Sequence, residues 1–201
     1  PALDAVVVSH AHLDHCGYLP ALVRQGFNGR IVLTGDTAAL AEIVLRDSAK
    51  LQEEDAKYAA AKGFSKHRPP KPLYDADDVE RTLPLFTVVD FDTEVPFAPG
   101  LAVRLPTAGH ILGSTSPVVS ADSTSIGFSG DLGRPNHPLL RPPAPPPAAQ
   151  ALVVESTYGD RVHPPNPQDD LAGAITRTIE RSGSVVIPAF AVDRTELLLL
   201  T

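Results

Sequence analysis

The stretch Ser9-His10-Ala11-His12-Leu13-Asp14-His15-Cys16-Gly17-Tyr18 follows directly on the apolar run Val6-Val7-Val8. It sets three imidazoles and one carboxylate into six positions as His-x-His-x-Asp-His. On an extended turn leaving a strand, residues two apart point to the same side. His10 and His12 are therefore placed to grip one cation, while Asp14 and His15 turn toward a second. Neutral imidazole nitrogen and carboxylate oxygen are ligands that zinc accepts at about 2.0–2.2 Å. A polar loop with surface histidines is the plainer alternative. The buried-strand signal before the motif and Gly17 after it argue against that alternative. The stretch reads as a metal site at the end of a strand.

The 201 residues suffice for one domain with a sizeable core. A hydrophobic content of 43% with 20% charged residues is that of a globular protein. No apolar run approaches the roughly 18 residues of a membrane helix, and no signal peptide opens the chain, which begins abruptly at Pro1. The single cysteine, Cys16, excludes an internal disulfide framework and suits a reducing cytoplasm. It reads as a small buried residue rather than a ligand. The net charge of −7 bears on partners. Proteins that hold nucleic acid by surface charge are basic somewhere, and here the closest approach is the short His67-Arg68-Pro69-Pro70-Lys71. A polyanionic substrate is then drawn by the metal ions or by sequence outside this chain. The 21 prolines are a compositional bias rather than a sign of disorder, because apolar periodic segments persist throughout.

Residues 3–9 read as a fully buried strand. A helix over residues 18–25 tolerates Pro20 in its first turn and stops at Gly26. A short buried strand over 30–34 precedes a helix over 37–62 that ends at Gly63. Within that helix, Gln52-Glu53-Glu54-Asp55-Ala56-Lys57 reads as a solvated charged face. Residues 65–72 form a loop, and 75–83 form a short helix whose acidic start suits the helix dipole. Strand-like runs at 87–91, 101–105, 115–120 and 125–129 suggest an antiparallel layer. Residues 134–148 hold seven prolines and no periodicity, which fits either a linker or a surface loop within one domain. A buried strand follows at 151–155, then a helix at 168–181, a strand at 185–188 and a helix N-capped by Asp193. That last helix runs into Thr201, so the chain is expected to be a fragment. Alternating strands and helices at both ends, with an antiparallel run between them, fit an α/β class: a four-layer αββα sandwich.

Two further segments complete a metal cluster. Ala108-Gly109-His110-Ile111-Leu112-Gly113-Ser114 and Phe128-Ser129-Gly130-Asp131-Leu132-Gly133 each set one ligand type between glycines just after a strand. Each is weak alone. Beside the histidine loop they supply a third imidazole and a carboxylate able to bridge two cations.

These three segments, followed by Val153-Val154-Glu155-Ser156-Thr157-Tyr158-Gly159-Asp160-Arg161 and Val186-Ile187-Pro188-Ala189-Phe190-Ala191-Val192-Asp193-Arg194, resemble the metallo-β-lactamase fold superfamily and, within it, the β-CASP branch. The resemblance covers essentially the whole chain and implies a metallo-β-lactamase-type αββα sandwich, truncated at both ends. It implies a metallo-β-lactamase-like domain over residues 1–155, lacking its first strands, and the start of a β-CASP domain over 156–201. The branch consists of RNA-processing nucleases, including the endonuclease subunit of the mRNA 3′-end cleavage machinery and its bacterial and archaeal counterparts. By the resemblance, His10, His12 and His110 hold a first zinc, Asp14 and His15 a second, and Asp131 bridges both. Glu155 matches an acidic motif that orients a metal-ligating imidazole from outside the ligand set, and with Asp14 it is the expected catalytic residue. Two later histidines of the branch, a general acid and a final zinc ligand, are expected beyond Thr201. Thr107 departs from the acidic residue common at its position. His163 follows the Tyr158-Gly159-Asp160-Arg161 segment and is given no catalytic role; His67 and His137 are expected to be exposed.

The expected function is a zinc-dependent phosphodiester hydrolase acting on single-stranded RNA, in which a hydroxide activated by two metals attacks phosphorus. The chain alone is expected to hold its second zinc incompletely and to be inactive. A homodimer through regions outside this chain remains compatible with the sequence. Two rivals stand beside this reading. The same dimetal core could hydrolyse a small ester, thioester or lactam, which the Glu155–Arg161 segment disfavours. A non-catalytic scaffold subunit in an RNA-processing complex is disfavoured because each expected ligand within the chain is present.

Overall fold

The computed structural model describes residues 3–162 and 167–200. Pro1, His163 and Thr201, invoked above, lie outside the described residues. The chain divides into two compact units, Pro1–Glu155 and Ser156–Thr201.

The first unit is built on two sheets. Strands β1 (Ala5–Val7), β2 (Arg30–Thr34) and β3 (Phe86–Val89) form a parallel sheet in the order β1-β2-β3. Strands β4 (Glu94–Ala98), β5 (Leu101–Arg104), β6 (Val118–Ala121), β7 (Thr124–Phe128) and β8 (Ala151–Val153) follow one another in the second sheet. That sheet is antiparallel apart from the parallel β7–β8 pair. Val32 of the first sheet packs with Val95, Val103 and Leu105 of the second, flanked by Val7, Val89, Phe97 and Val119. The apolar core therefore lies between the sheets. Helices α1 (Leu13–Cys16), α2 (Leu19–Arg24), α3 (Gly35–Lys62) and α4 (Ala76–Thr82) complete the unit, with α3 packed on β2 and β3. This mixed α/β arrangement of two sheets with helices accords with the expected sandwich class.

Helix α3 buries Thr37, Ala41, Leu45, Ser48 and Ala49, a stripe at the three- and four-residue spacing of one helix face. It starts at Thr34, whose hydroxyl accepts from the Thr37 amide, and ends at Gly63 in the left-handed region. Asp75 and Asp78 form a reciprocal capping box at the start of α4. Asp78 is buried and pairs with Arg24 and Arg81, so this carboxylate docks α4 onto α2 as well as capping it.

Several expectations are corrected. Residues 86–89 join the parallel sheet, not an antiparallel layer, because helices separate them from β2 and a crossover returns the chain in the same direction. β4 was not expected; it carries Pro96, which a strand tolerates at the sheet edge where β4 lies. β1 is half-buried and β8 exposed, since both stand at sheet edges; an apolar run records a preference for burial, not a place in the strand order. The 52–57 face is not merely solvated: Gln52 accepts from the Leu73 amide and Glu53 from the Ala76 amide, tying α3 to the start of α4. The proline-rich segment 134–148 lies within the first unit, where Ala144 donates to the Thr107 carbonyl. His137 is half-buried and accepts from the Leu139 and Leu140 amides, so it stabilises its own turn.

In the second unit, α5 (Pro167–Glu180) and α6 (Arg194–Leu200) are the described helices. Asp193 directly precedes α6, and its carbonyl accepts from the Leu197 amide. Residues 185–188 form no strand; a strand needs a ladder partner, and none is present for them among the described residues. Among the described residues no helix is long and apolar enough to cross a membrane.

Candidate metal centre

Three loops at strand ends build the site. The first leaves β1, whose ladder extends one residue further as Val8 donates to the Val32 carbonyl. His12 is extended (φ −63°, ψ 144°) and caps α1, so His10 and His12 leave on one side of an extended segment. Asp14 and His15 instead stand on the single turn of α1, where an extended turn was expected.

The second loop joins β5 to β6. Within the loop, Ala108 N–H donates to the Ser114 carbonyl, and the His110 and Ile111 amides both donate to the Ser114 hydroxyl. It is tied to the end of β2 and the start of α3 by two buried hydroxyls, Thr34 Oγ1 and Thr37 Oγ1, lying 2.7 and 2.9 Å from the Gly113 carbonyl. The third loop follows β7. Gly133 donates to the Ala108 carbonyl, and a Cβ there would lie 1.6 Å from the Gly109 carbonyl oxygen, so only glycine allows the second and third loops to meet.

These contacts bring His10, His12, His110 and Asp131 together, with one ligand atom from each within 4.8 Å of the others. His12 Nδ1 lies 3.1 Å from His10 Nε2 and 3.2 Å from His110 Nε2. Asp131 Oδ2 lies 3.7 Å from His10 Nε2 and 3.4 Å from His110 Nε2. The other oxygen, Oδ1, faces His15 Nε2 at 3.3 Å, and Asp14 Oδ2 lies 3.5 Å from the same nitrogen. One carboxylate thus presents an oxygen to each half of the cluster.

The donor set fits a cation. An imidazole nitrogen carries either one proton or one lone pair, and His12 Nδ1 faces two other ring nitrogens at once. Protons alone cannot satisfy that triangle, whereas an ion accepting several lone pairs can. Burial first, then the neighbouring imidazoles of His15, His12 and His110, push the His10 pKa down to about 2. The His12 pKa is also lowered, by burial and then by His110, against an opposing pull from Asp14 and Asp131. Both rings are therefore neutral lone-pair donors near pH 7. Cys16 is excluded as a ligand: it is buried, its thiol is pushed up to about 12 by burial and then by Asp14, and it points at the Ala11 carbonyl.

Glu155 meets the backbone of the third loop. Its Oε1 accepts from the Leu132 amide at 2.6 Å, and its own amide donates to Ser129 Oγ at 2.9 Å. It braces the backbone beside Asp131. Sequence reasoning also gave no role to Ser9, Thr34, Thr37 or Ser114. The positions of Ser9 directly before His10 and of Ser114 four residues after His110 were the available signals. The threonine clamp spans 76 residues or more and had none.

Comparison with known proteins gives a concordant result. The sequence profile of the metallo-beta-lactamase superfamily matches residues 1–177. The chain is 33% identical over 199 residues to ribonuclease TTHA0252 of Thermus thermophilus, covering 98% of this chain and 42% of that protein. It is 31% identical over 205 residues to transcription termination factor FttA of Methanococcus maripaludis, covering 98% of this chain and 30% of that factor. It is 30% identical over 204 residues to cleavage and polyadenylation specificity factor subunit 3 of Dictyostelium discoideum, covering 100% of this chain and 25% of that subunit. The chain thus spans less than half the length of these relatives.

Proposed function

The chain belongs to the metallo-beta-lactamase superfamily, and on that premise we propose that the intact protein is a zinc-dependent ribonuclease of the β-CASP type, hydrolysing phosphodiesters of single-stranded RNA. The observation that carries the proposal is the convergence of His10, His12, His110 and Asp131, with His15 on the second oxygen of Asp131. The relative named as a ribonuclease supports the choice of substrate.

In this reading His10, His12 and His110 would hold one Zn2+ and Asp14 and His15 another, with Asp131 available to both. When bound, the pair supplies Lewis acidity toward a phosphoryl oxygen and lowers the pKa of a water toward neutrality. The chain's own contribution is preorganisation. Neutral imidazoles offer lone pairs without first losing protons, and the His110 loop, pinned by Ser114, Thr34 and Thr37, holds its ring without reorganisation. Glu155 acts on the same footing, fixing the Leu132 amide and with it the Asp131 backbone. Residues 1–155 are read as the metallo-β-lactamase-like domain and 156–201 as the start of a β-CASP domain. A cytoplasmic location suits the single buried thiol.

The test is direct. The intact protein is incubated with end-labelled single-stranded RNA and the matching DNA, with a chelator and Asp14→Ala as controls. RNA cleavage abolished by both controls is the expected result. No cleavage with two zinc ions bound would shift the assignment to a small ester, thioester or lactam. No cleavage and no zinc would leave a scaffold subunit.

A further inference from the structure

We propose that Ser9 is a positioning residue that couples the two halves of the metal centre, its hydroxyl oxygen accepting Nδ1–H from both His10 and His15. The proposal rests on the metal-centre reading above and adds to it a residue outside the ligand set.

The argument starts from the rings. A neutral imidazole has one N–H and one lone pair, and the partner of one nitrogen decides which nitrogen is left to bind a metal. His10 and His15 both turn Nε2 toward Asp131, at 3.7 and 3.3 Å, from oxygens on opposite sides of that carboxylate. A lone pair on each Nε2 requires the proton on each Nδ1. Ser9 Oγ lies 3.1 Å from His10 Nδ1 and 3.4 Å from His15 Nδ1. A hydroxyl oxygen has two lone pairs and can accept both N–H groups. The two ring centroids are 4.1 Å apart and tilted by 41°, as for rings fanning out from one shared acceptor. His12 differs: it turns Nδ1, not Nε2, toward the cluster, and so lies outside the reach of this device.

Ser9 is itself held firmly. Its carbonyl accepts from Thr115 N–H at 2.8 Å and from Thr115 Oγ1 at 3.1 Å, directly after the loop that carries His110. The loop that carries Asp131 presses on it from the other side: Gly130 sits at φ +56°, and a Cβ there would lie 2.9 Å from the Thr115 carbonyl and 3.1 Å from Ser9 Cβ. One serine therefore stands on the first metal loop, bonds to the second, leaves no room for a side chain at Gly130 on the third, and orients one imidazole from each half. Metal-ligating histidines generally hand their second nitrogen to a fixed acceptor, and losing that acceptor weakens metal binding by roughly 10–100-fold. Here a single acceptor serves two rings, so its loss should be felt by both ions.

The experiment is a Zn2+ titration of the metal-free intact protein against a competing chelator, for wild type, Ser9→Ala and Ser9→Thr. Ser9→Ala is expected to weaken both binding steps by roughly 10–100-fold, while Ser9→Thr, which keeps the hydroxyl, stays close to wild type. Long-range nitrogen–proton correlation spectra of the zinc-loaded wild type give a second readout that does not depend on a variant folding. They are expected to show protonated Nδ1 on His10 and His15 and protonated Nε2 on His12. Unchanged affinity of both steps in Ser9→Ala, or metal on Nδ1 of His10 or His15, overturns the proposal. Because no RNA enters these measurements, a protein that binds two zinc ions through Nε2 of both rings yet leaves RNA intact refutes the nuclease reading alone. A wild type that binds no zinc refutes both.

Discussion

His10 is fully buried where the chain leaves β1, whereas Asp14, four residues on, leaves 79% of its side chain to solvent. The two residues belong to the two halves of one candidate centre, and the difference runs through everything around them. The half made by His10, His12 and His110 is assembled from two loops clamped across the sheets by Thr34, Thr37, Ser114 and Thr115. The half made by Asp14 and His15 stands on one turn of helix and contributes only local residues apart from Asp131. The lesson is that a sequence motif can be continuous while the physical site it builds is divided. One half is preformed by long-range packing; the other depends on a short helical turn and on whatever else approaches it.

The largest effect should come from Asp131, because it is the residue common to both halves. Asp131→Ala is expected to weaken both cation sites by more than the roughly 10–100-fold that an outer partner is worth, read by equilibrium dialysis against Zn2+. Retention of either ion at wild-type affinity would show that the carboxylate does not bridge.

Glu155 should come next. Glu155→Ala frees the Leu132 amide and lets the Asp131 loop shift, so both halves should weaken together by about 10-fold. A loss confined to one half would mean that Glu155 acts elsewhere than on this loop.

The smallest effect is the most selective. Thr37→Val keeps the shape of a buried side chain and removes one of two hydroxyls on the Gly113 carbonyl, at a cost of about 0.5–1.5 kcal/mol in urea unfolding. Its influence on zinc should fall on the half that contains His110 and spare the half that contains Asp14. Equal weakening of both would break the division proposed here.

How much of this was legible beforehand depended on the range of the interaction. The residues that converge were readable because the chemistry is in the side chains and His10 through His15 are adjacent in sequence. β2 was found at its observed bounds, because its apolar residues are buried at the centre of a sheet. β1 and β8 carry the same signal and lie at edges, since the identity of a strand's neighbour is not a local property. Pro96 hid β4 by arguing against a strand that an edge position allows. Glu155 was picked out by its match to an acidic motif, but the Leu132 amide that it meets lies 23 residues back and could not be read.

The central claim is that one cluster of loops holds two cations unequally. Calorimetric titration of the metal-free intact protein with Zn2+, repeated for His12→Ala and Asp14→Ala, tests it most directly. The account predicts two resolvable binding steps, with the tighter one lost in His12→Ala and only the weaker one lost in Asp14→Ala. A single step that Asp14→Ala leaves unchanged would contradict it.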